Sequence, residues 1–151
     1  MLLTNGAARD ITDFRLLGAS PALAATSGLG DEGGDPPAPP QFVPQAPPFA
    51  GYATHYGSQY NGQTLGCGAG IYVSSDPSII AVGPAHYRDL GCGSVVRVCG
   101  SAGCVVGVRQ DSCPGCTGAV VDLSEAGIDL VCGPCASACP VTIESGRFAY
   151  P

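Results

Sequence analysis

At 151 residues the chain has room for one domain of ordinary size and a tail. Its formal charge is −6, with no lysine and six scattered arginines, so it cannot assemble a basic stripe to follow a phosphate backbone, and neither nucleic acid nor a membrane is expected as a partner. Its longest apolar run falls far short of the roughly 20 residues a membrane helix needs, while 23 glycines and 14 prolines predict a loop-rich fold.

In chain order, residues 1–25 have the small-residue ending Ala22-Leu23-Ala24 of an export segment, but Arg9, Asp10, Asp13 and Arg15 interrupt its apolar core. The reading is a degenerate or truncated leader. Residues 26–50 follow, with seven prolines in TSGLGDEGGDPPAPPQFVPQAPPF, which reads as an extended, disordered linker. The folded domain is expected over 51–151, needing nothing before Gly51. There, short β-branched runs separated by turn residues predict about six strands: Tyr52–Tyr56, Ile79–Val82, Val95–Val98, Val105–Val108, Ala119–Val121 and Val141–Ile143. Such a set makes a small barrel or sandwich. One short helix is predicted from Ser124 to Val131, with Ser124 as its cap, Glu125 at its positive end and Cys132-Gly133 as its stop.

All nine cysteines lie between Cys67 and Cys139, a density that suits either disulfides in an oxidising compartment or a metal site. An all-disulfide reading leaves one over. The glycines of Cys99-Gly-Ser-Ala-Gly-Cys104 permit a tight hairpin that would bring those two sulfurs into bonding reach. Cys67 and Cys92, each beside a Gly-rich loop, are the second expected pair. A competing reading takes Cys113-Pro-Gly-Cys116 and Cys132-Gly-Pro-Cys135, fifteen residues apart, as the four thiolates of a zinc ribbon serving an interaction module. Cys132-Gly-Pro-Cys135 also has the spacing of a thioredoxin redox pair, without the strand and long helix that frame one.

The most informative stretch is VVGVRQDSCPGCTGAVVDLSEAGIDL, Val105 to Leu130. A strand ends in Asp111, a Pro-Gly turn follows, and a second strand delivers Asp122 just before the helix. Read alone, Asp111 could accept turn amides and Asp122 cap a loop. The stretch also resembles the strand, Asp, Pro-Gly loop and apolar-Asp-Leu-Ser strand end of the RlpA-like, expansin and barwin-like family. Gly51-Tyr-Ala-Thr54-His-Tyr-Gly57 and Asn61-Gly62 are similar to its opening strand and loop, and Ala85-His86 with Leu90-Gly-Cys-Gly-Ser94 to its middle segment.

The resemblance runs from Gly51 to about Glu144. It implies an all-β, disulfide-stapled, six-stranded double-psi β-barrel with one or two short helices. It further implies a secreted or cell-envelope protein whose open groove binds a cell-wall polysaccharide: peptidoglycan in RlpA-like proteins, cellulose or related glycans in the others. By the same resemblance Asp122 is the essential groove carboxylate, Asp111 the second acidic position and Thr54 the first-strand hydroxyl. Tyr56, Tyr60, His86 and Tyr87 are candidate glycan contacts.

Two departures bear on catalysis. The barwin-like endoglucanases carry a base where this chain has Ser58, and no acidic residue lies between Gly57 and Val73, where RlpA-like lytic enzymes carry a Glu. The expectation is a glycan-binding domain acting as a monomer without a cofactor. The alternative is a lytic transglycosylase with Asp122 as its single acid and base.

Overall fold

The computed structural model describes residues 35–68 and 70–151; the expected leader and the first part of the expected linker lie outside the described residues. The described elements are β1 (Gln41–Pro44), β2 (Phe49–His55), β3 (Ile79–Val82), β4 (Val95–Cys99), β5 (Cys104–Ser112), β6 (Val120–Leu123), α1 (Glu125–Cys132) and β7 (Ala138–Ala149). The strand order is β1-β7-β2-β6-β3-β5-β4, and β4 returns to β7, so six strands close on themselves and β1 is an extra outer strand. The pairs β2–β6 and β3–β5 are parallel; the other pairs are antiparallel. No described helix is long and apolar enough to cross a membrane.

Strict alternation builds the interior. Val96 and Val98 on β4, Val121 and Leu123 on β6, and Val141 and Ile143 on β7 point inward, as the two-residue period of a strand requires. Ile80 and Val82 join them, and the Ile128 and Val131 face of α1 plugs the barrel. Gly107 lets β5 pass close to the Ser78 carbonyl, where any Cβ would overlap it. The helix is capped by Ser124, whose hydroxyl accepts from the Gly127 amide at 3.0 Å, and Gly133 ends it at a positive φ of 98°.

A smaller apolar cluster of Leu65, Tyr72 and Ile79, with Tyr56 packed against it, supports the loop after β2. That loop turns back on itself through a bridge between Thr64 and Ile71.

The sequence reading differs in three places. The Pro-rich stretch enters the fold: Gln41–Pro44 pairs with the Gly146–Ala149 end of β7, and β2 begins at Phe49. Isolated residues of that composition cannot offset their ordering entropy, but here a preformed strand edge receives them and Phe42 lies under the Arg97 guanidinium at 4.7 Å. Removing everything before Ala46 is therefore expected to cost about 2 kcal/mol, several degrees in a circular-dichroism melt, and not to be silent.

Second, β7 runs twelve residues, far beyond the short apolar core of Val141–Ile143. Its polar half is held by pairing with β4 and by the ion pair of Glu144 with Arg97.

Third, the zinc-ribbon reading fails. Cys113 is bonded to Cys116 and Cys132 to Cys139, leaving Cys135 a free, exposed thiol. Four thiolates cannot converge when three of these sulfurs are already in two separate disulfides. Cys67–Cys92 and Cys99–Cys104 are the other two bonds.

Candidate functional site

Two parallel pairings and the antiparallel pairing between them place the polar candidates in one row across the outer face of the barrel. Thr54 on β2 is opposite Asp122 on β6, Asp122 is opposite Ala81 on β3, and Ala81 is opposite Asp111 on β5. Residues directly opposite one another share a face. Both carboxylates therefore flank the small side chain of Ala81, with α-carbons about 10 Å apart, two interstrand spacings. Ala81 forms the floor of a cleft of about 460 Å³ that Tyr56, Tyr60, Gln63, Thr64, Tyr72, Ser112, Cys113 and Pro114 also line.

The two acids are held differently. Asp122 is half-buried and accepts a hydrogen bond from Thr54 Oγ1 at 2.7 Å. Burial pushes its pKa above the ordinary carboxylate value; the Thr54 hydrogen bond and nearby His55 oppose this, and Asp111 adds a smaller push upward. The rise is thus chiefly desolvation and not the mutual repulsion of a carboxylate pair. Asp111 uses Oδ1 to accept from the Gly66 amide at 2.7 Å and the Ser112 amide at 2.8 Å. It fastens the loop after β2 to the end of β5.

Aromatic rings form one wall. Tyr56 stacks on Tyr72 at 4.1 Å and meets Tyr60 at 6.1 Å, and the Tyr72 hydroxyl donates to the Tyr56 carbonyl. Tyr60 leaves 41% of its surface exposed, enough to offer a ring face to a ligand. Burial raises the Tyr56 phenol far above its ordinary pKa, and Asp111 reinforces this. Its buried hydroxyl lies near that carboxylate without a hydrogen bond of regular geometry. Burial also pushes Tyr72 up to about 12.

His86 and Tyr87 are not in the cleft. His86 stacks on Phe49 at 4.5 Å, and Tyr87 lies under the Arg109 guanidinium at 4.7 Å. Both are half-buried in the turn after β3, apart from the residues that line this cleft.

Arg109, Gln63, Thr64 and Tyr72 were missed. Arg109 is 6% exposed and donates to the carbonyls of Leu90 at 2.6 Å and Asp111 at 3.3 Å and to Ser112 Oγ at 2.9 Å. It braces the backbone that presents Asp111. A lone arginine two residues before an aspartate gives no sign of this in the sequence.

No protein-family model and no curated protein matches the sequence. Solved structures do. The apo expansin of Clavibacter michiganensis superposes with a TM-score of 0.56 at 28% identity, over 66% of this chain and 50% of that one. A mutant of the Clavibacter michiganensis expansin in complex with cellohexaose gives 0.55 at 24% identity, with the same coverage. A Streptomyces papain inhibitor gives 0.55 at 22%, over 70% of this chain and 99% of the inhibitor. The chain thus spans about half the length of the expansins and nearly all of the inhibitor.

A closed barrel of six strands with two parallel pairings, and this set of neighbours, define a double-psi β-barrel. Within that class its barrel is similar to that of the Clavibacter michiganensis expansin, and four disulfides staple it.

Proposed function

We propose that this domain binds a cell-wall polysaccharide along the cleft between Asp111 and Asp122 and acts by disturbing glycan packing, without cutting a bond, outside the cell or in its envelope. The observation that carries this reading is the division of labour between the acids. Asp122 is partly buried, hydrogen-bonded to Thr54 and open to the cleft, whereas Asp111 is engaged by two backbone amides. Cleavage by a pair of carboxylates needs both acids free to exchange protons or attack; binding needs only a polar floor and an aromatic wall, and Tyr56 and Tyr60 supply the wall. Cellohexaose is the ligand of an expansin neighbour, so a β-linked glucan is the first ligand to try, followed by peptidoglycan.

A second reading is a lytic transglycosylase, favoured by the raised pKa of Asp122. The attacking hydroxyl would belong to the glycan, so Asp122 alone could donate a proton to the leaving oxygen and then recover one.

Calorimetry with cellohexaose and co-sedimentation with cellulose and with peptidoglycan sacculi test both readings. Binding with no new chain ends is the expected result. Anhydro-sugar ends released from peptidoglycan would replace the first reading by the second. Inhibition of papain without glycan binding would overturn both.

A further inference from the structure

Cys113 of the Cys113–Cys116 disulfide lines the cleft, and both sulfurs and an Asp122 carboxylate oxygen fall within 4.8 Å of one another. The geometry points to a reduction-gated site for a thiophilic divalent cation such as Zn²⁺, with Cys113, Cys116 and Asp122 as its three protein ligands. This site is separate from the four-cysteine ribbon excluded above, and it stands whatever the cleft itself binds.

The Cys113–Cys116 bond spans a sequence separation of 3, against 5, 7 and 25 for the other three disulfides. The smallest ring removes least entropy from the unfolded chain, so opening it costs the fold least. Two backbone hydrogen bonds hold the loop besides the disulfide: the Cys113 amide donates to the Val82 carbonyl at 3.0 Å and the Cys116 amide to the Cys113 carbonyl at 3.1 Å.

The ligand set has suitable dimensions. Tetrahedral zinc with sulfur at about 2.3 Å and carboxylate oxygen at about 2.1 Å sets its ligand atoms about 3.6–3.8 Å apart. Two sulfurs released from a bond move apart toward that spacing, and the carboxylate closes by about an ångström, within the reach of side-chain rotation. Thr54 already orients Asp122 by donating to Oδ1, the kind of supporting hydrogen bond that holds a metal-ligating carboxylate. Asp111, which lines the same cleft, adds a second negative charge favourable to a dication. Three protein ligands leave the fourth position facing the cleft, open to water.

The chemistry balances. The disulfide takes two electrons and two protons from a dithiol, which leaves as its own disulfide, and the metal then displaces the two thiol protons to solvent. Metal binding is therefore absent in the oxidised protein and releases protons in the reduced one.

The test uses the full chain carrying Cys135→Ser, which removes the free thiol. After brief treatment with dithiothreitol and its removal under argon, mass mapping of alkylated peptides identifies the opened bonds, and Co²⁺ is titrated as a spectroscopic stand-in for Zn²⁺. Expected are selective opening of Cys113–Cys116 and one equivalent of Co²⁺ with thiolate-to-cobalt charge-transfer absorption. Asp122→Asn should weaken binding about tenfold or more, and alkylating the two thiols, or replacing both by Ser, should abolish it. The alkylated chain keeps the test decisive if the double-serine variant folds poorly. Opening of another disulfide first, no uptake by the reduced protein, uptake by the alkylated protein, or undiminished affinity in Asp122→Asn would each overturn the site.

Discussion

Asp122→Asn is expected to lower glycan affinity, or any wall-loosening activity, by about a hundredfold while leaving the barrel folded. The amide preserves the shape of the carboxylate, and its oxygen can still accept from Thr54 Oγ1, which now donates at 2.7 Å. What disappears is the charge, and with it the strongest acceptor the cleft floor offers to sugar hydroxyls. Stability should move the other way from function. The folded protein raises the Asp122 pKa above 3.8, mainly by burial, so the fold favours the protonated form. Its contribution is fully present below that unfolded value and is lost as pH rises through the higher folded one. Wild type should therefore lose ground to Asp122→Asn across this window and stay level at higher pH. Melting curves of the two proteins at matched pH, together with binding isotherms, check both halves. Intact binding with a large loss of stability would make Asp122 a structural residue and remove the proposed function.

Arg109→Ala is expected to destabilise the domain by about 2–4 kcal/mol, on the order of 10 °C in melting temperature. The guanidinium is buried, donates to three oxygens around Leu90, Asp111 and Ser112, and covers the Tyr87 ring. Truncation would orphan those acceptors and open a cavity beneath the strand end that carries Asp111. Lys in its place should recover only part of the loss, because a compact ammonium cannot span acceptors now met by three separate nitrogens or lie flat on a ring. Urea titration of wild type, Arg109→Lys and Arg109→Ala should give midpoints in that order; equal midpoints would show the network to be dispensable.

These two residues also mark what the sequence disclosed. Asp122 and Thr54 were legible because each sits in a local pattern, an apolar-Asp-Leu-Ser strand end and a Gly-x-Ala-Thr strand, that survives in one dimension. The hydrogen bond joining them was not, since 68 residues separate them and only the parallel pairing of β2 with β6 makes them neighbours.

Strands with β-branched runs, such as Ile79–Val82 and Val95–Val98, appeared in place, the second continuing to Cys99. The polar half of β7 and the whole of β1 did not, because tertiary pairing and not composition makes them strands. The stacking of His86 on Phe49 and of Arg109 on Tyr87 was not legible either, because a motif fixes sequence neighbours and not tertiary ones.

The last strand closes the barrel. β7 pairs with β2, β4 and β1, so the edges of all three remain open until it docks. Because the contacts that complete the barrel join the two ends of the domain, folding should be slow for its size, in the millisecond-to-second range of high-contact-order β proteins. A nascent or truncated chain without Ala138–Ala149 would present three unpaired β-edges, a template for intermolecular pairing and aggregation. A chaperone acting on this protein would therefore need to shield strand edges more than apolar core.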